Sequence, residues 1–169
     1  MNRAMTKKTN AARLLDRLHL SYDLLEYDLD DDGDAQGLLA QSVAHHLGLP
    51  APQVFKTLVM RGDRQGVCFA VVPSHCQLRL KALAQMTGDR KIEAVSLKEV
   101  QPLTGYIRGG VTALASKKDY PVYGDLSLTT FERVAVAAGK RGLMLWLAPQ
   151  DYIQATGIIL GPLGEPMEP

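Results

Sequence analysis

Three shortages narrow the classes of protein to which this sequence can belong: few cysteines, almost no net charge and no long apolar run. Its 169 residues include two cysteines, Cys68 and Cys76, and the formal net charge is +1. Two cysteines without metal-ligand spacing suit neither a zinc site nor a disulfide framework, so a reduced, cytoplasmic protein is expected. A net charge near zero gives no strong global field, so any nucleic acid must be bound by local clusters of cations.

No apolar segment approaches the length of a membrane span and no signal peptide is evident, so no membrane association is expected. What the sequence does have is a globular composition, with 46% hydrophobic and 22% charged residues. Its length suits one domain with a sizeable core. We predict a flexible start over residues 1–8, one domain over 9–157 and a flexible tail, rich in glycine and proline, over 158–169.

Helix and strand signals are intermixed along the chain without a regular βαβ rhythm. Helices are predicted from Thr9 or Asn10 onward and over residues 37–47, 78–86, 96–100 and 149–157. Strands are predicted over residues 22–28, 54–60, 67–72, 91–95, 121–125, 133–137 and 143–147, and the second and third of these form a hairpin. We therefore expect an α/β domain of the mixed α+β kind, in which helices flank a mixed sheet that curls on itself.

Lys56 stands in the middle of the apolar strand predicted over residues 54–60. Burying an ammonium group without a partner is costly, so a lysine at this position needs an explanation. Either the ammonium reaches an edge of the sheet or a carboxylate, or the strand presents it in a cleft. In a cleft it would hold a phosphate, a carboxylate or a reacting carbonyl.

No set of side chains has the spacing of a metal site, so neither a metal nor a cofactor is expected. The acidic segment over residues 28–34 lacks the spacing and the final glutamate of an EF-hand, and a solvated loop is the simpler interpretation. His45 and His46 are adjacent and therefore point to different faces of their helix. No serine, cysteine or histidine constellation indicates a nucleophile.

Four segments occur in an order and at a spacing that resemble one family: residues 55–58, 104–111, 139–143 and 148–151. Together they resemble the YbaK/EbsC family of aminoacyl-tRNA deacylases, which is similar to the editing domain of bacterial prolyl-tRNA synthetases. The resemblance spans residues 9–157. It implies a single domain with a curled, barrel-like mixed sheet, and hydrolysis of the ester between tRNA and a wrong amino acid, foremost cysteine on proline tRNA. The implied partners are the acceptor end of aminoacyl-tRNA and prolyl-tRNA synthetase.

The resemblance also assigns site residues. It implies catalytic roles for Lys56, Gly109 and Gly110, and substrate-binding roles for Tyr27, Asp151 and Thr112. The family loop usually continues Gly-Gly-x-Ser-Pro-x-Gly, whereas here Thr112 replaces the serine, and Ala113 and Ala115 replace the proline and the last glycine. Attack by water or by a group of the substrate is expected, because the chain offers no evident nucleophile, and orientation with oxyanion stabilisation would supply the rate.

Several cations are candidates for phosphate contacts with the acceptor stem. They are Lys117, Lys118, Lys140 and Arg141, together with Arg61 and Arg64; each could equally be ordinary surface charge. Two other functions remain open. The first is a tRNA-binding module that has lost catalysis and acts with a synthetase partner, which the altered loop favours. The second is an enzyme that forms a Schiff base on a lysine, and only Lys56 supports it.

Overall fold

The structure, a computed structural model, describes residues 8–28 and 38–167, except for the side chains of residues 38–40. Within these residues the helices are α1 (Asn10–Arg17), α2 (Leu38–Leu47), α3 (Leu80–Thr87), α4 (Leu97–Thr104) and α5 (Pro149–Thr156). The strands are β1 (Asp23–Glu26), β2 (Phe55–Gly62), β3 (Gly66–Pro73), β4 (Cys76–Leu78), β5 (Ile92–Ala94), β6 (Val122–Asp125), β7 (Val134–Ala137), β8 (Leu143–Leu147), β9 (Ile159–Gly161) and β10 (Gly164–Pro166). Short 3-10 helices span Ala51–Gln53 and Leu126–Thr130.

The strands pair in three mixed or antiparallel sheets, which confirms the predicted mixed α/β domain. The largest sheet has the order β5-β2-β3-β6-β9, and the others are β1-β8-β7 and β10-β4. A parallel bridge between Val54 and Ala135 joins the largest sheet to β7, so the sheets curl around a common core. Among the described residues this pairing does not close into a complete barrel.

The β2–β3 hairpin has two faces, and each packs into a different hydrophobic cluster. Phe55 and Val59 of β2 point into the main core, where Leu145 of β8 and Tyr152 of α5 are also buried. Side chains alternate along a strand, so Lys56 lies on the opposite face, in line with Leu58 and Met60. That second face packs against α3. The sheet thus places Lys56 outside the main core.

The helix ends follow the sequence signals closely. The Thr9 side chain accepts a hydrogen bond from the Ala12 N–H at 3.2 Å and begins α1. Gly88 and Gly157 end α3 and α5 in the left-handed conformation that glycine adopts readily. Helix α4 begins at a capping box of Ser96 and Glu99, continues four residues beyond the predicted end at residue 100, and ends at Gly105 in the left-handed conformation.

The segment that follows residue 157 differs from the expected flexible tail. Strand β9 pairs in parallel with β6, and β10 pairs antiparallel with β4. Leu163 between them is fully buried, and Ile158 is 6% exposed. The alternation that identifies longer strands cannot develop in three residues, and glycine and proline in this segment masked the pattern. The predicted start over residues 1–8 lies almost wholly outside the described residues, as does most of the acidic segment.

Candidate active site

Lys56 is the second residue of β2 and is half-buried. Burial lowers the pKa of its ammonium group from the usual lysine value, and the neighbouring Cys76 side chain opposes this change. Within residues 8–28 and 38–167 the ammonium group forms no hydrogen bond or ion pair. The interpretation that a carboxylate neutralises Lys56 therefore finds no support there, and a partly desolvated cation remains for a ligand.

Cys76 is a neighbour of Lys56 that the sequence did not reveal as a site residue. Its thiol is 4% exposed, and burial raises the pKa of the thiol, with a further rise from Asp125 and an opposing effect of Lys56. The Cys76 Sγ atom lies 3.6 Å from Nε2 of His75. The thiol form is thus favoured, which makes Cys76 part of the wall around Lys56 rather than a thiolate nucleophile. No spacing in the sequence links β4 to Lys56.

The glycine loop packs directly against the turn at residues 139–142. Gly109 has φ +90°, and a Cβ atom placed on it would lie 3.1 Å from Cγ and Nε of Arg141. A Cβ atom on Gly110 would lie 3.0 Å from the backbone carbon of Lys140. Two backbone segments can approach this closely only when the side chains between them are absent.

Tyr106 contacts both segments from within, and no local pattern in the sequence marks it as functional. Its hydroxyl donates to the carbonyl of Leu114 at 2.7 Å, with the carbonyl of Ala115 at 3.0 Å. Burial raises the pKa of Tyr106 to about 12, so the phenol stays protonated as a donor. A Cβ atom on Gly139 would lie 2.9 Å from the Tyr106 ring. One buried ring therefore sets the spacing of the loop and the turn.

Ala115 stands where the family loop has its last glycine, and its backbone shows why glycine is usual there. Its φ is +55°, in the left-handed region that costs an L-residue roughly 1–2 kcal/mol. The Tyr106 hydroxyl contact holds the chain in this conformation. The departure from the family pattern at this position therefore keeps the backbone shape at the cost of local strain.

A cavity of about 580 Å³ opens beside the turn and brings three of the predicted residues together. Its lining consists of Glu26, Tyr27, Asp28, His46, Lys140, Arg141, Gly142 and Leu143. The Tyr27 N–H donates to the Gly142 carbonyl at 3.0 Å, which ties β1 to the turn. The Nε atom of Arg141 is buried without a hydrogen-bond partner in the described part of the chain. The cavity is polar and carries both cations and carboxylates.

Three other predicted roles fit the structure less directly. The Gly110 N–H donates to the Ile107 carbonyl at 2.9 Å, so it is not available to a substrate carbonyl in this conformation. Thr112 is fully buried and its hydroxyl accepts from the Leu114 N–H at 3.3 Å, which makes it an anchor inside the loop. The first turn of α5 contains Asp151, and no ion pair joins it to Lys56.

The helix that carries Asp151 nevertheless packs next to the lysine strand. Tyr152 is fully buried, and burial raises the pKa of its hydroxyl while the Thr57 side chain opposes the rise. Both hydroxyl groups are buried, and neither has a hydrogen-bond partner of good geometry among the described residues. Thr57 follows Lys56 in β2, so the start of α5 lies close to the strand that presents the lysine.

The candidate phosphate-binding cations divide into two groups. Lys117, Lys118 and Lys140 are exposed on the loop and the turn that Tyr106 joins, and partly exposed Arg108 of the same loop adds a cation that the sequence analysis did not single out. Arg61 belongs elsewhere, because its guanidinium contacts both carboxylate oxygens of Glu99, at 2.9 and 3.2 Å. The pair lies at the surface, with 40% of the Arg61 side chain exposed, so its phosphate role stays a prediction. Arg64 is exposed in the turn between β2 and β3.

Within residues 8–28 and 38–167, no three side chains of His, Cys, Asp or Glu form a group that could hold a metal ion. None of the described helices is long and apolar enough to cross a membrane.

Comparison with known proteins defines the class. The family model described as the aminoacyl-tRNA editing domain matches residues 35–155. EbsC of Enterococcus faecalis, whose name gives it an inferred Cys-tRNA(Pro)/Cys-tRNA(Cys) deacylase activity, is 37% identical over 150 residues, 89% of each chain. The uncharacterised protein YwhH of Bacillus subtilis is 28% identical over 135 residues, 80% of this chain and 85% of its own.

Solved structures share the fold. The crystal structure of the hypothetical protein APE2540 has a TM-score of 0.81 and 22% identity, over 93% of this chain and 100% of its own. A protein with an inferred role as a trans-editing enzyme for prolyl-tRNA synthetase has a TM-score of 0.76 and 24% identity, over 95% of this chain and 99% of its own. The chain belongs to the aminoacyl-tRNA editing domain family.

Proposed function

We propose that this chain is a trans-editing carboxylic-ester hydrolase that deacylates mischarged aminoacyl-tRNA, with Cys-tRNA(Pro) as its leading substrate. The observation that carries the proposal is the half-buried ammonium group of Lys56, which has no hydrogen bond or ion pair within residues 8–28 and 38–167, in a member of the editing family. The relative EbsC has an inferred deacylase activity on Cys-tRNA(Pro) and Cys-tRNA(Cys), which supports the choice of substrate. The products are the free amino acid and the tRNA.

The chemistry requires orientation more than a strong catalyst, because an aminoacyl ester is already activated. Lys56 would hold the terminal adenosine phosphate or the developing oxyanion, where a partly desolvated cation acts more strongly than in water. The Gly109 N–H has no acceptor within the described residues and would donate to the carbonyl oxygen, whereas Gly110 already donates to Ile107. Tyr27 and Asp151 would line the amino-acid site, and Asp151 would meet the substrate amine.

The attacking group is water or the substrate's own thiol. Water would form a bond to the carbonyl carbon while the ester C–O bond to the ribose breaks, and the ribose oxygen would leave as a hydroxyl. In a cysteinyl ester the side-chain thiol can attack the same carbon, pass its proton to the ribose oxygen and leave a cyclic thioester, which water then opens to cysteine. Alanyl and seryl esters lack that thiol and depend on water.

Cations on the loop and the turn would contact the tRNA backbone. Lys117 and Lys118 lie on the loop, and Lys140 and Arg141 lie on the turn that Gly109 and Gly110 approach. Phosphate contacts position a nucleic acid without reading its sequence, so these cations would orient the acceptor end rather than select the tRNA. Prolyl-tRNA synthetase is the proposed partner that would select the tRNA. The proposed location of the reaction is the cytoplasm.

A panel of mischarged tRNAs tests the function. One proline tRNA is charged in turn with cysteine, serine and alanine, and release of each amino acid is followed with the wild type, Lys56→Ala and Lys91→Ala. Lys91 is exposed beside the β2–β3 turn, at the opposite end of β2 from Lys56, and provides the matched control. We expect fastest release of cysteine, no release with Lys56→Ala and unchanged release with Lys91→Ala. Equal rates for the three amino acids would contradict thiol assistance and point to bound water.

The loop that departs from the family pattern favours one alternative, a tRNA-binding module without catalysis. Binding of the charged tRNA without release of any amino acid in the same panel would establish it. Ala113→Pro separates selectivity from activity, because proline fixes φ and stiffens the loop. The Ala113 N–H makes no hydrogen bond within the described residues, so the substitution removes no bond there. An unchanged preference among the three amino acids would show that the altered loop does not affect amino-acid selectivity.

A further inference from the structure

The C-terminal strands form one side of the surroundings of Lys56. In the β10–β4 pair, Pro166 is opposite Cys76, the thiol neighbour of Lys56. Leu163 is fully buried in the same cluster as Val72, and Val72 is the residue opposite Lys56 in the β2–β3 hairpin. The chain between β9 and β10 therefore covers the second face of the hairpin where it carries the lysine.

One carboxylate fixes this covering segment. Oδ1 of Asp125 accepts hydrogen bonds from the N–H groups of Leu163, at 3.0 Å, and Gly164, at 2.7 Å. Its Oδ2 atom accepts from the N–H of Ser127 at 3.1 Å and from the Ser127 hydroxyl at 2.6 Å. Asp125 is the last residue of β6, so a strand of the main sheet holds the turn through two hydrogen bonds, and the two bonds from Ser127 hold the carboxylate in place.

Gly164 packs between the Asp125 carboxylate and the thiol of Cys76, the neighbour of Lys56. A Cβ atom on Gly164 would lie 3.3 Å from Oδ1 of Asp125 and 3.3 Å from Sγ of Cys76. The carboxylate, the turn and the thiol are thus packed without space for a side chain. Displacing the turn would open the side of Lys56 that Cys76 covers.

We propose that Asp125 is a positioning residue for Lys56: it fixes the turn at Leu163 and Gly164 against β4 and so keeps water from one side of the ammonium group. This inference rests on the proposed function only in the link from Lys56 to hydrolysis. The role is geometric, because Asp125 binds the turn at Leu163 and Gly164 and forms no hydrogen bond or ion pair with Lys56 among the described residues.

The consequence is a change in the protonation of Lys56 when the turn is released. Burial lowers the Lys56 pKa, so better access of water should raise it toward the ordinary lysine value. Among the described residues, Cys76 of β4 is the titratable neighbour of Lys56, with His75 and Asp125 beyond it; Val72 of β3 is opposite. Both the loss of position and the change in protonation should slow hydrolysis.

The test measures the Lys56 pKa directly by NMR of ¹³C-methylated lysines in the full chain, with Lys56→Met identifying the signal, and measures kcat/KM beside it. Asp125→Ala removes all four bonds. Leu163→Ala leaves Asp125 intact but empties the space below the turn. Asp125→Asn retains an oxygen that can accept both turn bonds. Leu145→Ala truncates an equally buried leucine of the main core and controls for loss of stability.

We expect Asp125→Ala and Leu163→Ala to raise the Lys56 pKa by about half a unit or more, and to lower kcat/KM about tenfold or more. Asp125→Asn and Leu145→Ala should leave the Lys56 pKa unchanged. An unchanged Lys56 pKa in folded Asp125→Ala, or in Leu163→Ala if Asp125→Ala does not fold, overturns the positioning role. A raised pKa with an unchanged rate supports that role and removes Lys56 from the proposed hydrolysis instead.

Discussion

Gly109 lies against the side chain of Arg141, with 3.1 Å between the position of a Cβ atom on the glycine and the guanidinium Nε. This contact joins two residues that are 32 positions apart in the sequence and that belong to separate segments of the family resemblance. The same Nε atom is buried and has no hydrogen-bond partner in the described residues. The glycine thus determines where the Arg141 side chain stands at the edge of the cavity.

Gly109→Ala is expected to lower the free energy of unfolding and to slow deacylation. Its positive φ costs an alanine roughly 1–2 kcal/mol, and the added methyl group would displace Arg141. Gly88→Ala is the matched control, because Gly88 has φ +83° and no atom within 4 Å of a Cβ position. Urea unfolding should show similar losses of stability for both variants, whereas only Gly109→Ala should reduce kcat/KM. Equal activity of the two variants would separate Arg141 from the site.

Ala115→Gly is expected to stabilise the protein by about 1 kcal/mol, because glycine adopts the observed φ of +55° without the steric cost that alanine meets. Glycine also makes the unfolded chain more flexible, which offsets part of this gain. Thermal unfolding of the variant beside the wild type measures the net effect. A lower melting temperature would show that the added flexibility of the unfolded chain outweighs the relief of backbone strain.

The sequence predicted the main elements of the fold where long patterns and strong end signals coincide. The β2–β3 hairpin has two apolar runs around a polar turn, and Thr9, Gly88 and Gly157 mark helix ends through the conformations they favour. Lys56 was recognisable because a cation in an apolar strand contradicts the pattern around it. The resemblance assigned Tyr27 a substrate-binding role, whereas its closeness to Lys140 and Arg141 in one cavity was not predicted from the sequence.

The remaining features depend on contacts between distant parts of the chain, which local patterns do not encode. Glu99 pairs with Arg61 across 38 positions, and Asp125 binds the N–H groups of residues 38 and 39 positions further on. Tyr106 and Cys76 carry no unusual local pattern, since a buried aromatic ring and a buried thiol are ordinary core residues. Their importance comes only from the loop and the lysine beside them.

Lys56→Met is expected to abolish deacylation without lowering the melting temperature at pH 7. A lysine whose pKa is lowered by folding favours the unfolded state while it is charged, and this effect is lost as pH rises from the folded pKa to the ordinary lysine value. Removing the charge should therefore leave the melting temperature at or slightly above that of the wild type. Circular dichroism measures the fold, and release of cysteine from Cys-tRNA(Pro) measures the activity. Wild-type release would remove Lys56 from the mechanism.

Lys117→Ala and Lys140→Ala are each expected to weaken tRNA binding and to make it less dependent on salt. A lysine that contacts a phosphate releases counterions, so its loss should lower the slope of log Kd against log salt concentration by about 1. Fluorescence titrations at several salt concentrations measure the slope, with Lys91→Ala as the exposed control on another surface. Unchanged slopes would show that these lysines are ordinary surface charges.

Glu99→Gln is expected to make the melting temperature less sensitive to acid. Contacts with Arg61 and Ser96 hold the pKa of the Glu99 carboxyl group at about 2, below its ordinary value of 4.5. A carboxyl group with a lowered folded pKa stabilises the protein above the unfolded pKa, and this stabilisation is lost as pH falls through the folded value. The wild type should therefore melt at a higher temperature than Glu99→Gln at pH 7, and the difference should shrink between about pH 4.5 and 2. Asp63 and Asp89 also have lowered pKa values and are present in both proteins, so their effects largely cancel. A difference in melting temperature that stays constant across this range would show that Glu99 is not held ionised by Arg61.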